Sequence, residues 1–140
     1  MQFDPENRIN KLCAQGMQLE GEGKPAEAAK LFVQAWHEAT NDMERFTAAH
    51  YVARHQPDAA GKLEWDETAL SIALGIEGDA IKATYPSLYL NIARCYEDLN
   101  YPDKAREYYQ LAYQFTAFLP DDGYGSMMKR GIAEGMERVK

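Results

Sequence analysis

The sequence predicts an all-α chain of about seven helices, stacked as a solenoid of antiparallel hairpins, and three observations carry that expectation. Proline and glycine cut the 140 residues into helix-length pieces. β-Branched runs with period-two alternation are nearly absent, so strands have no pattern to form on. A two-helix pattern near the start recurs at an offset of 77 residues.

Asp4-Pro5-Glu6 reads as an N-cap, a first-turn proline and an acidic first turn. Ile9, Leu12, Gly16 and Leu19 then recur at helical spacing, giving a helix over about residues 5–20. Gly21-Glu22-Gly23 breaks it, and Pro25 opens a second helix with Ala28, Leu31, Phe32, Ala35, Trp36 and Ala39 on one face. Shifted by 77, Leu12, Gly16 and Leu19 fall on Tyr89, Ala93 and Tyr96. Pro25, Ala28, Leu31, Phe32, Ala35 and Trp36 fall on Pro102, Ala105, Tyr108, Tyr109, Ala112 and Tyr113. Paired helices that repeat bury their apolar faces against neighbours, which is what a solenoid requires.

A degenerate copy lies between them: Ala48-Ala49-x2-Val52, then Ala69-x3-Ala73. Its two small residues stand twenty apart, against twelve in the outer copies, so its second helix is expected to start near Pro57 and to carry Trp65. After Phe118-Leu119-Pro120, the segment Asp121 to Gly125 reads as a loop. A last helix follows with Met128, Ile132, Met136 and Val139 on one side.

These copies resemble the tetratricopeptide repeat family. The first reads Leu12-x2-Gln15-Gly16-x2-Leu19, then Ala28-x3-Phe32 and Ala35; the last reads Tyr89-x2-Ile92-Ala93-x2-Tyr96, then Ala105-x3-Tyr109 and Ala112. The resemblance implies a right-handed solenoid forming one domain over residues 1–140. Its repeats are expected at about 5–41, 42–80 and 85–119, with a capping helix at about 124–140. All three copies lack the family's closing proline, with Thr40, Ile81 and Ala117 in its place, so the turns between hairpins depart from the pattern.

The resemblance also implies a concave groove lined by the first helix of each pair, where a peptide or partner protein is held. Carried onto this chain, its residues are Asn10, Cys13, Met17 and Glu20, then Phe46, His50 and Ala53, then Leu90, Asn91, Arg94 and Glu97. Met17, Phe46 and Leu90 would form an apolar strip flanked by His50 and Arg94, suited to a peptide with hydrophobic anchors and an acidic group. The family's clamp for chaperone tails is not matched, because Cys13, Met17, Thr47, Ser87 and Asn91 replace its cationic and amide residues.

Composition points the same way. With 46% hydrophobic and 26% charged residues the chain is globular. A net charge of −7 opposes a phosphate backbone, so no nucleic acid partner is expected. No apolar run is long enough to span a bilayer. Cys13 and Cys95 match neither a disulfide framework nor a zinc spacing, which suits a reducing cytoplasm, and no metal or cofactor is expected. His50 and His55, five apart, point about 140° from one another on a helix. The expected role is a non-catalytic adaptor. Two alternatives stand beside it: a homodimer pairing through the last helix or Trp65, and an enzyme using Cys13, His50 and Arg94. Gly131 and Gly135 allow a close helix contact, although a tolerant surface would explain them equally.

Overall fold

The computed structural model describes residues 4–140 and is all-helical, with no strand among those residues. Seven helices of 12 to 16 residues account for most of it: α1 (Arg8–Gly21), α2 (Pro25–Glu38), α3 (Asp42–Ala53), α4 (Ala59–Leu74), α6 (Tyr85–Asp98), α7 (Pro102–Gln114) and α8 (Gly123–Arg138). A four-residue turn of helix, α5 (Asp79–Lys82), and a 3₁₀ turn (Thr116–Phe118) complete the set. The chain divides into two compact units, meeting at Ile76 and Glu77.

In the first unit α1 packs on α2, α3 on α4, and α3 also touches both α1 and α2. Antiparallel pairing of α1 and α2 is fixed at their far ends, where Arg8 Nε lies 3.1 Å from Glu38 Oε1. The core joins Ile9, Leu12, Cys13, Ala28, Phe32, Ala35, Ala48 and Val52. Phe32 fills the space left by Gly16, where an added Cβ would collide with the ring. Tyr51 and His55 stack on Phe32, at centroid distances of 5.0 and 5.4 Å. Trp65 meets Trp36 edge-on at 5.1 Å, so it is used within the unit.

In the second unit α6 packs on α7, and α8 packs on both. Tyr85 at the start of α6 lies 5.0 Å from Phe115 just past α7, again an antiparallel pair. Here the glycine opposite the central ring is on α8. A Cβ at Gly135 would collide with Tyr109, and one at Gly131 would stand 3.0 Å from Arg94 Nη2. These two glycines therefore permit close packing, and the tolerant-surface reading of them does not hold. Gly125 is equally tight, its missing Cβ falling on the carbonyl of Pro120.

The offset of 77 survives at the level of the backbone. Adding it to α1 returns the bounds of α6, and adding it to Pro25 returns the start of α7. The turns match residue by residue. Glu22 and Leu99 have φ, ψ of −86°, 3° and −86°, 2°. Gly23 and Asn100 follow at φ 75° and 66°, in the left-handed region that glycine and asparagine tolerate best. Lys24 N and Tyr101 N then donate to Leu19 O and Tyr96 O, both at 2.8 Å.

Three boundaries differ from the sequence reading. Asn7, not Asp4, caps α1, because its Oδ1 accepts from Ile9 N and Asn10 N, while Asp4 Oδ1 is spent on Glu6 N in the preceding turn. α4 begins at Ala59 behind the cap Asp58, whose Oδ1 accepts from Gly61 N. Asp122 caps α8 in the same way through Gly125 N, so Gly123 to Gly125 are helical and not loop. The short α5 had no periodic signal.

Candidate functional site

The site builds from two helices of the first unit. α1 and α3 run side by side, and a cleft of about 310 Å³ opens at their surface, lined by Pro5, Asn10, Lys11, Cys13, Ala14, Met17 and Tyr51. Three of the expected groove residues, Asn10, Cys13 and Met17, thus share one cavity. Met17 stands on its wall 43% exposed, while Cys13 is buried beneath. A smaller cleft of about 170 Å³ adjoins it across Asn10, lined by Asp4, Asn7, Asn10, Asn41, Met43, Glu44 and Thr47.

α3 presents a different side from the one expected. The repeat register places Phe46 and His50 in the groove, but Met43, Thr47 and Tyr51 line the clefts. The shift is one residue, a rotation of about 100°. Its cause is visible in the paired alanines: Ala48 and Ala49 are both fully buried, so the small residue that should fix the register is duplicated. Phe46 is buried, and its ring lies 6.4 Å from His50. Leu90 is buried as well, against the α8 backbone at Gly131. The apolar strip of Met17, Phe46 and Leu90 is therefore not an exposed feature; only Met17 of the three is open.

Of the remaining assigned residues, Ala53 is buried in the first unit, and Asn91, Arg94 and Glu97 belong to the second. Asn91 is half-buried and Arg94 is exposed. Glu97 accepts from Tyr109 Oη at 2.6 Å and from Arg138 Nε at 2.8 Å. The Arg138 guanidinium, foremost, holds the Glu97 carboxyl below the usual range. Glu97 therefore ties α6 to α8 and is already occupied. Glu20 does likewise in the first unit, with Arg54 Nη2 at 2.9 Å and His55 Nε2 at 2.6 Å.

Electrostatics speak against a thiol nucleophile. Burial pushes the Cys13 thiol up to about 11, away from the thiolate. Burial, with Arg54 and Lys62 adding repulsion, pushes His50 down to about 4, and its Nδ1 is buried without a hydrogen-bond partner. A Cys–His pair that activates its thiol needs the opposite shifts. Glu44 is held low by the Thr40 N–H, with help from Asn7 and Asn41, so it stays ionised at the polar cleft.

Among the described residues no three His, Cys, Asp or Glu side chains are grouped to hold a metal. No helix there is long and apolar enough to cross a membrane. No known family, curated protein or solved structure matches the chain.

Tyr51, Lys11, Pro5 and Ala14 were not anticipated as cleft residues. Ala14 had a readable signal, since it lies one turn from Asn10 on the same face. The polar cleft also had one: Asn41-x-x-Glu44 is a capping pair, in which Glu44 N donates to Asn41 Oδ1 and the Glu44 carboxylate reaches back to Thr40 N.

Proposed function

We propose that the chain is an interaction module of the tetratricopeptide kind, a right-handed stack of paired helices that holds a segment of a partner protein without catalysis, in the cytoplasm. The observation that carries the reading is the cleft between α1 and α3, where Asn10, Cys13 and Met17 meet Tyr51 around about 310 Å³. A cleft of this size, mostly apolar and with a few polar groups on its rim, suits one anchoring side chain of a peptide. The equal geometry of the two hairpins supports the repeat assignment.

The acidic group expected on the ligand loses its support, because His50 is half-buried and held neutral and Arg94 belongs to the other unit. Pairing of copies through Trp65 is not favoured either, since Trp36 occupies that ring. α8 does leave apolar surface open, with Tyr124 and Met127 44% and 49% exposed beside the charged Arg130, Glu134 and Glu137.

Selection of a displayed random-peptide library on the full chain tests the proposal. Peptides with an apolar anchor should enrich, and Met17→Glu should weaken them by at least about tenfold with helical content unchanged. Enriched peptides that bind Met17→Glu equally would move the site elsewhere, and a library without enrichment would remove the peptide-binding reading.

A further inference from the structure

The two clefts form one furrow with a consistent chemistry. Asn10 is a wall of both, Met17 lines the larger and Met43 the smaller. These methionines are 43% and 39% exposed, so both clefts present an open thioether side chain. Flexible thioethers at the surface adapt to varied apolar side chains, and Met-lined grooves accept amphipathic helices for that reason.

Charge narrows the class of helix. Around the furrow Arg8 pairs with Glu38 at 3.1 Å, Lys11 with Glu6 at 3.5 Å and Arg45 with Asp42 at 3.3 Å. The cations near the furrow are thus matched to other carboxylates. Asp4 and Glu44, both lining the smaller cleft, have no ion pair among the described residues. Glu44 takes its hydrogen bonds from neutral groups only: Asn7 Nδ2 at 2.8 Å, Thr40 N at 2.9 Å and Thr40 Oγ1 at 3.1 Å. Among the described residues these two negative charges therefore have no ionic partner beside an apolar cleft, on a chain of net charge −7.

We infer that the furrow takes a basic amphipathic helix of a partner protein, its apolar side chains on Met17 and Met43 and a lysine or arginine beside Asp4 and Glu44. The inference rests on the peptide-binding reading above and adds the partner's chemistry to it. Lys11 does not oppose it, since that charge is taken by Glu6.

The test uses the full chain and a fluorescent amphipathic peptide of leucine and lysine, with its leucine–glutamate counterpart as the charge-reversed probe. The lysine peptide should bind saturably and more weakly as salt rises, and the glutamate peptide should not bind. Asp4→Asn and Glu44→Gln should each weaken it by about 3- to 10-fold. Asp4→Asn guards against a folding defect, because its Oδ1 still accepts from Glu6 N. Glu27→Gln and Glu64→Gln remove equal charge elsewhere and should leave binding unchanged. An equal loss in those controls would mean diffuse attraction to an acidic protein and would overturn the inference. Library peptides that depend on Met17 but carry no basic residues would also overturn it while leaving the peptide-binding reading intact. Absence of any enriched peptide would remove both.

Discussion

Hairpins α1–α2 and α6–α7 share their turn geometry and, but for one residue at the end of the second helix, their bounds, yet their outer positions have opposite character. Arg8, Lys11, Gln15 and Gln18 of α1 are exposed, whereas the same positions of α6 are Tyr85, Leu88, Ile92 and Cys95, all buried. The inner positions differ more subtly. Phe32 leans on Gly16 of α1 and is covered by Tyr51, while its counterpart Tyr109 leans on Gly135 of α8. Tyr109 adds a hydroxyl that donates to Glu97, and burial, with that bond, pushes it up to about 12. The comparison teaches that a hairpin's conformation is set by few residues: the opening proline, the buried small residues and the left-handed turn. The remaining faces are free to record what surrounds each copy.

The largest test of this division is Ile92→Gln. Ile92 is fully buried, so the exchange removes apolar burial and strands an amide without partners. A loss of about 4 kcal/mol is expected in urea unfolding. A loss below about 1 kcal/mol would mean that the α6 face depends far less on burial than its packing implies.

A second difference is acid sensitivity. All three histidines, His37, His50 and His55, lie before residue 77, and none follows. His50, held down to about 4 by burial and by Arg54 and Lys62, is neutral when folded, whereas the unfolded chain protonates it near 6.5. The unfolded state binds the proton first as pH falls. Stability from this group is therefore complete above about pH 6.5 and lost progressively toward pH 4, in total on the order of 3 kcal/mol. Amide protection in α3 and α4 should fall in that window while α6 to α8 keep theirs, as read by hydrogen exchange. His50→Phe should flatten the profile; parallel profiles for the variant and the parent would sink this account.

How far these features were legible in the sequence follows from the same contrast. Helix identity, the 77-residue offset and the proline starts were readable because apolar periodicity and backbone restriction are local properties. The α1 wall of the cleft was readable too, since one small residue, Gly16, fixed its register. α3 was not, because Ala48 and Ala49 fit the small-residue position equally well, and a slip of one residue exchanged Tyr51 for His50. Leu90 was assigned to an open surface because a helix distant in sequence, α8, covers it. The ties of Glu20 and Glu97 to Arg54, His55 and Arg138 depend on contacts 34 to 41 residues apart, for which no local pattern exists.

The smallest effect is expected from the mirror exchange, Gln15→Ile, at the position of α1 that corresponds to Ile92. Gln15 is exposed and makes no packing contribution that isoleucine would lose, so stability should change by less than about 0.5 kcal/mol. Set against the Ile92→Gln loss, the same pair of residues on the same backbone would then differ several-fold in cost according to burial alone. Unfolding of Gln15→Ile at two protein concentrations checks this. A stabilisation that grows with concentration would show that the polar face of α1 had been keeping copies apart, making it an active barrier instead of an indifferent one.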